Sequence, residues 1–181
     1  MELLPNGGPS VFVNEVHIDT RGSFEMLIQE TELRRYFPEM PNMKQVNLIS
    51  GNLNSLRGFH GARNEEQHWK IVTCIKGRVR DAVLDLRLAA PTFGEISFVD
   101  IDANDHKIVV IPPGFGHAVQ SLTDGSLNLY ATNIEYASNN EFEIYPFDNK
   151  WQNIWSENST LSRRDINAPK FENLVKDGFF K

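Results

Sequence analysis

The sequence predicts an all-β fold, a jelly-roll β-barrel with short peripheral helices. Short apolar segments are separated by regularly placed turn residues, helical periodicity is nearly absent, and the length suits one core. Turn residues recur at Asn6-Gly7-Gly8-Pro9, Arg21-Gly22, Ser50-Gly51-Asn52, Lys76-Gly77, Pro112-Pro113-Gly114 and Asp124-Gly125, a spacing that leaves room for strands rather than helices. The 181 residues fit a single domain over 1–181, because one core usually serves about one to two hundred residues.

Taken in order, Val11 to Ile18 reads as a strand. A short helix follows at Glu30 to Tyr36, with Thr31 placed to cap it and Pro38 and Pro41 ending it. Further strands are expected at Lys44 to Ser50, Trp69 to Ile75, Val79 to Arg87, Glu95 to Ile101, Lys107 to Ile111 and Leu127 to Ile134. A second helical piece is expected near Asp148 to Trp151. Seven or more short strands with turns between them make a sandwich or barrel, of which the jelly roll is the best member.

The chain carries 18 basic and 24 acidic residues, a formal charge of -6. That balance disfavours a nucleic-acid surface, where Lys and Arg should predominate. The first residues, Met1-Glu2-Leu3-Leu4-Pro5, lack a basic leader, and no run approaches about 18 apolar residues, so no membrane association and a cytoplasmic protein are expected. The single cysteine, Cys74, lies in an apolar run and reads as an inert core thiol.

Alternation places Gln45, Asn47 and Ile49 on one face, Lys70, Val72 and Cys74 on another, and Asn128, Tyr130 and Thr132 opposite Leu127, Leu129 and Ala131. Two readings fit: a sheet with one solvated face, or a barrel lumen holding a polar ligand. The window Leu56-Arg57-Gly58-Phe59-His60, with Gln67 and Lys70 beyond it, sets a histidine between cations. It reads either as a solvated hairpin or as a base beside an anion site. His17 and His106 read as surface residues.

Pro112-Pro113-Gly114-Phe115-Gly116-His117 contains Pro-x-Gly-x-x-His, similar to the second signature of the cupins. Metal-binding cupins add a His-x-His pair and a glutamate, whereas here His60 and His68 stand eight residues apart with no third ligand beside them. No metal is expected, since a divalent ion needs three or four convergent donors.

From Asp19 to about Pro169 the chain resembles the dTDP-4-dehydrorhamnose 3,5-epimerase family. The matching pieces include Asp19-Thr20-Arg21-Gly22-Ser23-Phe24, Gln45-Val46-Asn47, Leu56 to His60, Gln67 to Val72, Asp81 to Arg87, Pro91-Thr92-Phe93-Gly94, Ile111 to His117, Leu129-Tyr130 with Tyr136, and Leu161 to Asp165. The resemblance implies a cupin jelly roll without a cofactor that epimerises a nucleotide-diphospho-4-keto-6-deoxyhexose through an enolate, as a homodimer. Single-site epimerisation, a cupin ketoisomerase and a non-catalytic sugar-nucleotide binder are the alternatives.

The family's base falls on His60, its orienting aspartate on Asp165, the opposed proton donor on Tyr130, and the partner of the C4 oxygen on Lys70. Imidazole, ordinarily titrating near pH 6.5, suits the base, and a phenol near pH 10 suits the donor. Arg57, Arg21 and Arg164 fall near the diphosphate, with Gln45 and Asn47 as hydrogen-bonding partners. Phe24, His117, Tyr136 and Glu141 complete the implied substrate contacts. Met26 stands where the family usually has a base-contacting glutamate, and Gly61-Ala62 stands where Tyr-Gln is common, which implies a larger or reshaped pocket and an open nucleobase preference.

Overall fold

In the computed structural model, which describes residues 2–3, 8–62, 67–136, 140–148 and 151–180, two antiparallel sheets face each other as a jelly roll. The first sheet has the order β1-β2-β10-β7-β12-β5, from Glu2–Leu3, Ser10–Val13, Lys107–Ile111, Lys70–Lys76, Ser126–Thr132 and Gln45–Gly51 respectively. The second runs β13-β6-β11-β8-β9, from Glu141–Ile144, Ser55–Ala62, Phe115–Ser121, Arg78–Asp85 and Ile96–Asp102, and a short β14 (Thr160–Leu161) adds in parallel to β6. A separate hairpin joins β3 (Val16–Asp19) and β4 (Gly22–Glu25).

Three apolar layers hold this arrangement. Between the sheets, Val72, Cys74, Val109 and Ile111 meet Val79, Val83, Ile101 and Val119. On the outer face of the first sheet, Ile71, Ile108, Val110 and Ala131 are covered by Leu33 and Met40. On the outer face of the second, Phe59, Ala82, Leu84 and Ala118 are covered by Trp151, Trp155 and Phe171 from the C-terminal segments. Burying both faces of a strand removes the hydrophobic alternation that a half-wet sheet shows.

Most expected strands form, with differences at their ends. The strand expected over Val11 to Ile18 breaks after Val13, because Asn14 turns aside: its side chain donates to Glu25 Oε1 (2.9 Å) and to the Leu27 carbonyl (3.2 Å). Val79 to Arg87 stops at Asp85, whose carboxylate accepts from the Arg87 N–H. Leu127 to Ile134 stops at Thr132, whose hydroxyl donates to the Ile134 carbonyl.

The helix α1 is shorter than expected, Glu30–Leu33, and Gln29 rather than Thr31 stands at its N-cap, without a side-chain cap. Part of the Asp148 to Trp151 helix lies outside the described residues; a turn closed by Trp151 N–H to the Asp148 carbonyl precedes a 3-10 turn at Gln152–Ile154. Two short helices, α2 (Arg163–Ile166) and α3 (Phe171–Lys176), end the fold. Cys74 is buried, and burial pushes its thiol up, as an inert thiol requires. Among the described residues no helix is long and apolar enough to cross a membrane.

Candidate active site

The polar faces point inward. A cavity of about 460 Å³ opens between the sheets and is lined by Gln45, Asn47, Arg57, Gly58, His60, Ala62, His68, Lys70, His117, Tyr130, Thr132, Tyr136, Glu141 and Arg164, among others. The lumen reading is therefore the one that holds, and the solvated-face reading is not. Val46 and Leu48, which alternate with Gln45 and Asn47, are each 62% exposed on the outside of β5.

A β-bulge in β6 builds one wall. His117 pairs with His60 and Val119 with Arg57, so two residues of β6, Gly58 and Phe59, stand opposite one of β11, Ala118. The extra residue turns both Arg57 and His60 into the lumen, with Phe59 in the outer core. Gly58 also has no room for a side chain: a Cβ there would stand 2.9 Å from Asp165 Oδ1 and 3.3 Å from the Ile144 carbonyl.

Asp165 itself does not line the cavity but stands behind His60, which it meets at 2.7 Å between Nε2 and Oδ1. The pair is 105 residues apart in sequence. Ser162 caps α2 by accepting from the Asp165 N–H, and its hydroxyl donates to Asp165 Oδ2 at 2.5 Å. The Gly58 N–H donates to Oδ1 at 3.1 Å. Burial works to raise the carboxyl, but the hydrogen bonds from His60, Ser162 and Gly58 outweigh it and hold it below the usual carboxylate range. An ionised carboxylate only accepts, so Nε2 carries the proton and Nδ1 keeps its lone pair for the cavity.

Tyr130 comes from β12 in the other sheet and so faces His60 from the opposite wall. Its hydroxyl is buried with no hydrogen-bond partner among the described residues, and burial, reinforced by Asp81, pushes the phenol well above its ordinary value. It stays protonated and able to donate. His117 meets Tyr130 edge-on at 5.3 Å between ring centroids and is bonded through Nε2 to the buried Asp81 at 2.6 Å. Burial pulls the Lys70 ammonium below its ordinary value, and Glu141 and Asp81 partly restore it.

The remaining predicted residues divide. Gln45 donates to Asn47 Oδ1 at 2.7 Å and accepts from the Tyr136 N–H at 2.9 Å, which fixes Tyr136 at the rim. Arg57 has no ion-pair partner among the described residues, whereas Arg164, expected as a third phosphate cation, is held by Glu141 and Glu143. Its charge is already balanced, which weakens that expectation.

Arg21 and Phe24 are not brought to the cavity of their own chain. They sit on the β3–β4 hairpin, Phe24 61% exposed and Arg21 paired with Asp19 at 2.5 Å. Met26 is exposed nearby rather than at the cavity. Gly61 does not enlarge the pocket either, because it faces the Phe142 ring in the outer core; only Ala62 reaches the lumen. His17 is exposed as expected, but His106 is tied to Glu25 at 2.8 Å and joins the hairpin base to β10.

Sequence reasoning missed Gly58, Ser162, Asp81 and His68. Ser162-x-x-Asp165 is a capping-box spacing that could have placed the carboxylate at a helix start. Gln67, singled out beside Lys70, gives way at the cavity to His68. Among the described residues no group of three or more His, Cys, Asp or Glu converges as a metal site.

A jelly-roll barrel whose lumen is lined by a carboxylate-paired histidine from one sheet and a tyrosine with a buried hydroxyl from the other has the architecture of a cupin. A family model described as dTDP-4-dehydrorhamnose 3,5-epimerase matches residues 7–173. A dTDP-4-dehydrorhamnose 3,5-epimerase of Mycobacterium tuberculosis is 31% identical over 167 residues, covering 90% of this chain and 83% of the relative. The solved structure of the Mycobacterium tuberculosis rmlC epimerase superposes with a TM-score of 0.93 at 30% identity, covering 99% of this chain and 92% of that one. ChmJ, a 3'-monoepimerase from Streptomyces bikiniensis solved with dTDP-quinovose, also gives 0.93, at 29% identity and the same coverage. The chain belongs to the dTDP-4-dehydrorhamnose 3,5-epimerase family and is an isomerase of the carbohydrate-epimerase kind.

Proposed function

We propose that this chain epimerises a dTDP-linked 4-keto-6-deoxyhexose at one or both carbons flanking the ketone. The observation that carries this reading is the pairing of the His60–Asp165 dyad on one wall with the protonated Tyr130 on the other. Nδ1 of His60 takes the proton on the carbon next to the carbonyl. The electron pair moves onto the C4 oxygen, where Lys70 stabilises the enolate charge. Tyr130 returns a proton from the opposite side, inverting the carbon, and exchange with water resets both groups. Removal and return from opposite walls favours inversion over the one-sided shuttling that a ketoisomerase needs.

Arg57 serves the diphosphate, since a guanidinium without an ion-pair partner among the described residues offers two parallel donors to phosphate. Gln45 and Asn47 flank it, and Tyr136 stands at the mouth for the nucleobase. A homodimer completes this reading. β5 is an open sheet edge with Val46 and Leu48 outward, and the hairpin exposes Ile18 and Phe24. A second copy laying its hairpin against β5 would cover this apolar surface and carry Arg21 and Phe24 to the cavity mouth. The lone cysteine and the absence of a long apolar helix among the described residues are compatible with a cytoplasmic setting.

Incubation with dTDP-4-keto-6-deoxyglucose in heavy water tests the reading. Each inverted carbon takes up one deuteron, so two mark C3 and C5 and one marks a single-site enzyme. No incorporation with this sugar sinks the proposal.

A further inference from the structure

His68 lines the cavity, and the mechanism above leaves it without a task. Its orientation is built rather than incidental. The Asn133 side chain grips the backbone on both sides of it, accepting from the Trp69 N–H at 2.7 Å and donating to the Gln67 carbonyl at 2.8 Å. Trp69 is 1% exposed and packs edge-on against Phe37 in the outer core, with ring centroids 5.5 Å apart. Neighbours along an extended chain point to opposite sides, so a Trp69 locked outward forces His68 and Lys70 inward together. His68 forms no hydrogen bond or ion pair among the described residues, and its imidazole is left facing the lumen.

Charge decides what it can hold. Burial first, then Lys70 and His117 nearby, pull the imidazole down to about 3. It is therefore neutral wherever the enzyme works, with one N–H donor and one lone-pair acceptor. That pair of functions complements a hydroxyl, which also donates and accepts once each, and not a phosphate, which calls for cations such as Arg57. On a 4-keto-6-deoxyhexose the C4 oxygen belongs to Lys70, C3 and C5 lie between His60 and Tyr130, C6 is a methyl group and C1 carries the diphosphate. Of the two ring hydroxyls, the one at C3 sits on a reacting carbon and changes side when that carbon inverts, so the hydroxyl that keeps a fixed position through the reaction is at C2.

We infer that His68 is a specificity-determining binding residue that reads the C2 hydroxyl of the sugar, held in register by Asn133 and Trp69. This rests on the sugar-epimerase reading above. A lost neutral hydrogen bond is worth about tenfold in binding.

The test compares the parent, His68→Phe and His68→Gln on dTDP-4-keto-6-deoxyglucose and on its 2-deoxy analogue, with deuteron incorporation giving kcat/KM and calorimetry giving the affinity for dTDP alone. His68→Phe should lose about tenfold on the hydroxylated sugar, and His68→Gln, which keeps a donor and an acceptor, should recover most of that. On the 2-deoxy analogue all three should agree, and dTDP should bind all three equally. Equal losses on both sugars overturn the inference, and so does a matching loss for dTDP, which would make His68 a phosphate residue. If His68→Phe does not melt cooperatively, His68→Ala takes its place in the same comparison. A parent that incorporates no deuteron removes the epimerase reading and this one with it, an outcome distinct from a parent that turns over while the variants match it.

Discussion

Asp165 accepts from three donors, His60 Nε2, Gly58 N and Ser162 Oγ, and this convergence explains both its ionisation and the tautomer of His60. Asp165→Asn puts an amide N–H₂ against at least one of those donors, or turns it toward His60 and reverses the tautomer so that Nδ1 holds a proton. Turnover should fall by about 10² to 10⁴-fold, while dTDP affinity, measured by calorimetry, stays within about twofold because Arg57 is untouched. His60→Asn should lose turnover to a similar extent; retention of parent activity would exclude His60 as the base. Gly58→Ala is the sharper structural test. Its Cβ would press on Asp165 Oδ1 at 2.9 Å and Pro146 Cδ at 3.2 Å, so thermal melts should show a loss of about 1–3 kcal/mol. Displacement of the carboxylate should cost at least about tenfold in kcat.

β6 shows why the sequence was legible in part. Its cations around His60 could be read as an anion site, but the strand itself could not, because Gly58 and Gly61 interrupt the pattern and Phe59 is buried on the outer face. β13 was missed, and β11 is signalled only by the Pro112–Gly114 turn that leads into it, for a related reason: both faces of their sheet are covered, so the period-two signal is lost. The β5 alternation was read correctly, and only the cavity decided that its polar side faces inward. The hairpin had the clearest turn, Asp19 to Gly22, yet its placement away from the cavity follows from Asn14 and His106 gripping Glu25, contacts between residues far apart in sequence. If the hairpin serves a second copy, Val46→Lys together with Leu48→Lys should shift the chain to a monomer in sedimentation. Arg21→Ala should raise KM several-fold while leaving the melting temperature within about 2 °C. A chain already monomeric at assay concentration would reject the dimer and remove the role given to Arg21.

Acid stability ties the cavity to the whole molecule, because its buried groups titrate differently once the chain unfolds. His68 is held at about 3 in the folded state, against about 6.5 for an unfolded histidine. As pH falls below about 6.5 the unfolded chain takes up a proton that the folded one refuses, so stability drops by at most about 1.4 kcal/mol per pH unit until the folded value is reached. The carboxylates act lower. Asp165 and Asp85 are both held below the ordinary range, burial opposing and hydrogen bonds prevailing, from His60 and Ser162 in one case and from Arg87 and Thr92 in the other. Their stabilisation is fully present above about pH 4 and is lost as pH falls through their folded values. The two contributions therefore separate between about pH 4.5 and 6.5, where the aspartates remain ionised and only the histidine term changes. Thermal melts across that window should show a shallower decline for His68→Gln than for the parent, with the curves converging in slope above about pH 7. Equal slopes throughout would mean that His68 is charged or solvated in the folded chain, and the neutral imidazole on which its contact with a sugar hydroxyl depends would be gone.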